Sequence, residues 1–146
     1  MKKKLILLVM LVSFLALSLT FLSCEDPKLE LEGTTWVFGY TKAETAAAAE
    51  MTEAALDALL SAGQITVNWP LPAQKIEFTS DKDFKWYNNT GLPEYAVTWE
   101  QYTSGTYTVS SEDVTLKAGG ETLTCPVDGN TMTVTLGGQT VKFLKQ

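Results

Sequence analysis

GTYTVSSEDVTLKAGGETLTCPVDGNTMTVTLGGQTVKFLKQ, residues 105–146, is the stretch that decides the fold. Apolar residues alternate in it with polar ones, mostly threonine, at a period of two. That period is typical of half-buried strands, and β-branched threonine suits their outer face. Residues that favour turns separate the alternating runs at regular distances, as in Gly119-Gly120 and Gly137-Gly138. The pattern predicts five antiparallel strands, at about 105–110, 113–118, 121–127, 131–136 and 139–145.

The same alternation extends upstream with longer connections. It predicts four further strands around Trp36-Phe38, Ile76-Phe78, Phe84-Trp86 and Tyr95-Val97-Trp99, although the last could be an extended loop. Eight or nine antiparallel strands in about 115 residues fit an all-β fold, a small meander barrel whose closure removes exposed strand edges. We therefore expect residues 33–146 to form one barrel domain.

One segment departs from the β pattern. Residues 43–62 read AETAAAAEMTEAALDALLSA, and alanine, leucine and glutamate are good helix formers. This composition predicts a helical insertion at about 43–62, between the first and second strands. Thr41 or Thr45 could cap its start, and Gly63 is suited to its end. Because the apolar stripe is mostly alanine, the insertion is expected to rest on the barrel wall; a lid over one barrel mouth is the alternative.

The N-terminus predicts export. Residues 1–23 carry three lysines at positions 2–4, an apolar run from Leu5 to Leu22 and then Ser23, which is the pattern of a secretory signal. The sequence FLSC, ending at Cys24, resembles the lipobox of bacterial lipoproteins. That resemblance implies cleavage before Cys24, acylation of Cys24 with a chain such as palmitate, and anchoring to a membrane of the bacterial cell envelope. Residues 24–32 would then be the lipidated cysteine and its tether.

Two other interpretations of the N-terminus stay open. The run from Leu5 to Leu22 is 18 residues long, close to the ~20 that a membrane helix needs, so it could be an uncleaved anchor. An ordinary signal peptide cut near Ser23 would instead release a soluble secreted protein.

Charge and composition exclude several functions. The chain has 11 basic residues, all lysine, and 17 acidic ones; removal of residues 1–23 leaves 8 against 17, a net charge of −9. Nucleic-acid binding needs clustered positive charge, so no nucleic acid is expected as a partner. There is no histidine, which removes Ser-His-Asp and Cys-His catalytic groups and most zinc sites. We expect no enzyme activity, no metal and no cofactor.

Four segments together resemble the small lipocalin-like lipoproteins of bacteria: LEGTTWVFGY (31–40), IEFTSDKDFKWY (76–87), GTYTV (105–109) and the last 24 residues, 123–146. The resemblance implies a calycin-type barrel. Two features depart from lipocalins proper. Gly33 and Trp36 are one residue further apart, and the arginine that packs over the tryptophan is missing.

Aromatic residues are the candidate ligand-binding residues. Trp36, Trp86, Trp99 and Tyr107 should point inward, and Trp69 is expected in an exposed loop or a loop at the barrel rim. The full predicted lining is Ile76, Phe78, Phe84, Trp86, Val97, Trp99, Tyr107, Leu116, Met132, Leu136 and Phe143. Such an interior either holds one small apolar or amphipathic ligand or is filled by its own side chains. In the second case the protein would be a structural lipoprotein that contacts another envelope protein.

Cys125 has no cysteine partner if Cys24 is acylated. It alternates with Leu123 and Val127 on the apolar face, so a buried thiol is expected rather than a reactive one.

Overall fold

Eight antiparallel strands, each paired with the next along the chain, close into a barrel in the computed structural model, which describes residues 29–146. The last strand pairs with the first, with Trp36 opposite Lys145. The predicted meander barrel is therefore confirmed. The strands are β1 Thr35–Tyr40, β2 Leu71–Phe78, β3 Asp83–Asn89, β4 Trp99–Ser110, β5 Asp113–Ala118, β6 Glu121–Asp128, β7 Thr131–Leu136 and β8 Gln139–Lys145.

The two ends of the barrel differ. One end, here called the closed end, carries the turns at 79–82, 111–112 and 129–130. The segment before β1 covers it: the backbone N–H of Gly33 donates to the carbonyl of Phe78 at 2.8 Å, and the side chain of Leu31 is buried in the core. Leu31 belongs to the segment predicted as tether. The other end, the open end, carries the loop at 90–98 and the turns at 119–120 and 137–138.

The closed half of the barrel is filled. Large side chains from β1, β2, β7 and β8 are fully buried there, and the indole N–H of Trp36 donates to Thr34 Oγ1 at 2.9 Å. Cys125 is 0% exposed, as expected. Burial of this much hydrocarbon is the main source of the fold's stability. The fully buried core residues are Leu31, Trp36, Ile76, Phe78, Phe84, Val114, Cys125, Met132, Val134 and Phe143.

A bulge in β4 corrects one part of the prediction. Trp86 pairs with Thr103, but the next residue, Tyr87, pairs with Gln101, so Tyr102 is an extra residue in the strand. One extra residue reverses which face the following side chains occupy. Trp99, which strict alternation placed inside, therefore lies on the outer face. It also begins β4, so the separate strand predicted around residues 95–99 does not exist.

The helical insertion is present, but as two short helices, α1 Lys42–Ala48 and α2 Glu53–Ser61. Thr41 caps α1 through a reciprocal pair of hydrogen bonds with Glu44, and Thr52 caps α2. A single helix was expected; the chain instead breaks at Glu50, whose φ is +53°. A threonine able to start a second helix follows that break, which accounts for the division. The expected alanine stripe is also wrong, because in α2 only Leu56 is buried.

The side chain of Asn89, at the end of β3, stabilises the 90–98 loop at the open end. Its buried amide makes four hydrogen bonds: Nδ2 donates to the carbonyls of Pro72 (2.7 Å) and Ala96 (2.9 Å), and Oδ1 accepts from the backbone N–H of Gly91 (2.9 Å) and Thr98 (2.8 Å). The side chain uses both donors and accepts twice. No other residue type supplies this pattern in the same volume.

We expect Asn89→Ala to lower the free energy of unfolding by about 2–4 kcal/mol, because it leaves partly buried backbone groups without partners. Urea denaturation followed by circular dichroism measures the change. The control is Asn88→Ala, which removes one side-chain bond, to Gln74, and should cost about 1 kcal/mol or less. Equal costs for the two variants would contradict the role given to Asn89.

Candidate functional site

The open end of the barrel contains a cavity of about 310 Å³, here called the mouth cavity. Its wall is mainly hydrocarbon and aromatic, with one carboxylate. The lining residues are Phe84, Trp86, Tyr102, Thr103, Leu116, Ala118, Gly119, Glu121, Leu123 and Leu136. They come from β3 to β7, so one side of the barrel forms the whole wall. No residue of α1 or α2 is among these lining residues, so the insertion does not act as a lid over this cavity.

Strand pairing explains why the cavity exists. β6 and β7 pair at two positions next to their turn, Val127 with Met132 and Asp128 with Thr131. Beyond these pairs the strands separate, and Leu123 and Leu136 line the space between them. On the other side, pairing of β4 with β5 begins at Thr106, so residues 99–105 of β4 extend past the end of β5. All neighbouring strands pair in the closed half, whereas in the open half β6 and β7 do not pair and leave a gap in the wall.

Trp86 is the central residue of the wall. Its side chain is 4% exposed, and its ring and that of Phe143 pack in a T-shaped arrangement, with 5.7 Å between centroids and 87° between planes. Within residues 29–146 its buried indole N–H has no hydrogen-bond partner. A buried donor left unpaired costs about 1–3 kcal/mol. Because indole nitrogen donates and does not accept, only an acceptor that reaches this buried N–H would recover that energy.

The rim of the mouth cavity carries its polar groups. Tyr102, the bulged residue of β4, is 67% exposed, and Glu121 at the start of β6 is also exposed. Leu136 was predicted as interior lining; it does line the cavity, but it is 44% exposed because β6 does not pair with β7 at that level. The arrangement is a mainly apolar wall that includes one residue with a buried, unpartnered donor, Trp86, and has polar groups at its edge.

A second pocket of about 390 Å³ lies beside the barrel, where the segment before β2 meets the 90–98 loop. Trp69 lines it together with Tyr95 and Val97, and within the described chain the indole N–H of Trp69 is also buried without a partner. Val97 is 51% exposed, so its predicted place in the barrel interior is wrong. The reason is that Val97 belongs to the loop and not to a strand.

Of the five predicted ligand-binding residues, only Trp86 lines the mouth cavity. Trp36 is enclosed in the filled half. Tyr107 points inward as expected, but its hydroxyl donates to the Ser80 carbonyl at 2.8 Å and its ring packs on Phe78 at 4.7 Å. Burial raises the pKa of the Tyr107 hydroxyl, and nearby Glu32, Asp81 and Asp83 raise it further. Trp36 and Tyr107 therefore belong to the packed core of the closed half.

Trp99 has a structural role on the outer face. The ammonium of Lys75 lies 5.1 Å from the centre of the Trp99 ring and 4.4 Å from that of Tyr87. Lys75 also pairs with Glu77 at 2.6 Å. Cation–π contacts of this kind are worth about 0.5–1 kcal/mol at exposed sites, so the cluster adds to the contacts that hold β2, β3 and β4 together on the outer face.

Six of the ten lining residues were missed by the sequence analysis: Tyr102, Thr103, Ala118, Gly119, Glu121 and Leu123. Leu123 had a detectable signal, because it alternates with Cys125 and Val127 on the apolar face. Tyr102 and Glu121 had none. Their positions depend on the β4 bulge and on the separation of β6 from β7, which are properties of strand pairing.

The thiol of Cys125 is buried and is expected not to react as a nucleophile. Burial raises its pKa to about 12, and the neighbouring Asp113 adds to the rise. Since the thiolate is the nucleophile, a protonated and buried thiol is unreactive. We expect no alkylation of Cys125 by iodoacetamide in the native protein at about pH 8, and full alkylation in ~8 M urea. Mass spectrometry checks both.

The raised pKa of Cys125 should make the free energy of unfolding depend on pH. In the folded state Cys125 keeps its proton up to about pH 12, whereas an exposed thiol in the unfolded chain loses it near the ordinary value of 9.0. The folded state therefore binds more protons in this range, and stability falls as pH rises. Between about pH 8 and about pH 9.5, we expect the free energy of unfolding to decline more in the native chain than in Cys125→Ala. Equal slopes would contradict a buried thiol.

Within residues 29–146 there is no group of three or more carboxylate, cysteine or histidine side chains placed to hold a metal ion. The same part of the chain contains no helix with the length and apolar character needed to cross a membrane. Cys24 and the predicted signal, residues 1–23, lie outside the described residues. Comparison of the chain with known protein families, with characterised proteins and with solved structures finds no match.

Proposed function

We propose that this protein is a lipoprotein of the bacterial cell envelope, anchored through lipid on Cys24, and that its barrel binds a small apolar or amphipathic ligand in the mouth cavity. The observation that carries the binding role is the buried, unpartnered indole N–H of Trp86 in the wall of a half-open apolar cavity. The role is binding without catalysis, which is supported by a lining that is mostly hydrocarbon.

Physical chemistry supports the site in two ways. Water in the cavity meets few polar partners, so an apolar ligand that displaces it gains the transfer free energy of the buried area, about 25 cal/mol per Å². An acceptor on the ligand that reaches the buried indole N–H of Trp86 would also form a hydrogen bond with it. Ligand sites in proteins generally combine an apolar wall with a few placed polar groups in this way.

The size of the cavity bounds the ligand. About 310 Å³ is roughly twice the ~150 Å³ of an enclosed cavity that holds benzene. A ligand of about 10–17 non-hydrogen atoms would therefore fill it. A longer chain would have to extend through the gap between β6 and β7.

Filling the cavity tests the proposal. We expect Leu123→Trp to reduce binding of the neutral dye N-phenyl-1-naphthylamine at least tenfold, because the larger side chain occupies the space between β6 and β7. Fluorescence titration of the chain from residue 24 onward, made without acylation, measures the dye. The matched control is Leu144→Trp, since Leu144 is an exposed leucine on the outer face of β8 and its replacement should leave binding unchanged.

Two outcomes would reject the binding role: no dye binding by the native chain, or equal binding by Leu123→Trp. The filled closed half would then support the structural alternative, in which the barrel is a rigid module that contacts another envelope protein.

A further inference from the structure

We infer that the mouth cavity selects a neutral or cationic amphiphile and discriminates against an anionic one, with a hydrogen-bond acceptor of the ligand held by the indole N–H of Trp86. This inference rests on the proposed function, since it assigns a ligand class to the same cavity.

The charge of the rim supports the first part. Glu121 is the single charged side chain among the residues that line the mouth cavity, and the lining contains no lysine. The chain has no arginine at all. A carboxylate or phosphate entering the mouth would therefore leave water beside another negative charge with no cation to balance it. An ammonium group or an uncharged polar group meets no such cost, and an ammonium gains attraction to Glu121.

The depth of the cavity supports the second part. Trp86 is nearly fully buried, and its N–H lacks a partner within the described chain, whereas Glu121 is exposed. The buried part of the wall thus contains a donor, which a ligand acceptor reaches when the side chains around Trp86 move, and the rim carries a carboxylate. An ammonium cannot accept a hydrogen bond, so it does not satisfy Trp86. A ketone, ester, amide or ether oxygen does. The fitting ligand has a neutral oxygen at one end of an apolar body and a neutral or cationic group at the other.

A set of four probes with similar chains separates these features: 2-octanone, 7-oxooctylammonium, 7-oxooctanoate and octylammonium. The first three share a ketone and differ in charge at the far end; the last has the charge without the acceptor. Each is titrated into the ¹⁵N-labelled chain from residue 24 onward, and the indole signal of Trp86, assigned with Trp86→Phe, is followed by NMR. Amide dispersion shows that each variant is folded.

We expect 7-oxooctylammonium and 2-octanone to bind at least about fivefold more tightly than 7-oxooctanoate, and only ketone probes to shift the Trp86 indole proton to lower field. Glu121→Lys should reverse the order of affinity of the two charged ketones, while Glu121→Gln should make their affinities similar. Trp86→Phe replaces the indole with a smaller aromatic ring and removes the donor, so it should weaken the ketones about fivefold more than octylammonium.

Equal binding of 7-oxooctylammonium and 7-oxooctanoate, with no change in Glu121→Lys, would overturn the charge selection. Ketone affinity that Trp86→Phe does not weaken would overturn the role of the indole. If no ketone probe binds while N-phenyl-1-naphthylamine still does, the inference fails and the proposed binding role stands. If the dye does not bind either, both this inference and the proposed binding role are rejected.

Discussion

Replacement of Gly105 by alanine is expected to lower the free energy of unfolding by about 4 kcal/mol or more, which would leave a domain of ordinary stability marginally folded. Gly105 lies in β4, next to the last residues of β5, and faces the barrel interior. A methyl group there would overlap the carbonyl oxygen of Lys117 and lie 2.9 Å from its carbonyl carbon. Both are backbone atoms and cannot rotate away, so β4 and β5 would have to move apart where their pairing begins.

The matched control for this prediction is Ser104→Ala. Ser104 is the neighbouring residue, exposed and paired with Lys85, and its replacement should change stability by about 0.5 kcal/mol or less. Urea denaturation of the two variants under the same conditions gives the comparison. A cost for Gly105→Ala within about 1 kcal/mol of the control would mean that the strands are not as close as the structure has them.

The sequence predicted the C-terminal strands well because their determinants are local. Alternation at a period of two fixes which side chains face inward, and paired glycines fix where each strand turns. β5, β7 and β8 have the predicted bounds, and β6 is one residue longer. Gly105 shows the limit of this reasoning. It had no signal as a constrained position, since its constraint comes from the carbonyl of a different strand.

Single positions account for two of the failures. The bulge at Tyr102 is a register shift between β3 and β4, and one residue of shift was enough to move Trp99 from the interior to the outer face. The break in the helical insertion depended on Glu50 adopting a positive φ, which composition does not reveal. In both cases a locally consistent pattern was overruled by a single position.

The candidate site was only partly predictable for the same reason. Trp86 was identified because it lies on the inward face of a regular strand. The question of a filled or hollow interior could not be answered from side-chain volume, because the interior is divided. Continuous pairing packs the closed half, and the two-position pairing of β6 with β7 opens the other.

Replacement of Cys24 by alanine is expected to release the protein from the membrane completely. Acyl chains hold a lipoprotein at the bilayer by the transfer of about 0.8 kcal/mol per methylene, and stable anchoring requires more than one chain. Without the thiol there is no site for the lipid. Metabolic labelling with an alkyne analogue of palmitate, followed by separation of membranes from soluble material, measures both the modification and its consequence.

Cys125→Ala is the matched control, because it removes the other cysteine and should keep both label and membrane retention, since the Cys125 thiol is buried. A Cys24→Ala variant that loses the label but stays in the membrane would indicate that Leu5 to Leu22 is an uncleaved anchor. A native chain that is soluble and unlabelled would indicate an ordinary signal peptide.

Under the lipoprotein interpretation, only five residue steps separate Cys24 from Leu29, a reach of about 18 Å. Since the chain enters the barrel at its closed end, through Leu31, that end would face the bilayer and the mouth cavity would face away from it. A ligand would then be taken from the aqueous side, which is consistent with a cavity that carries its polar groups at the rim.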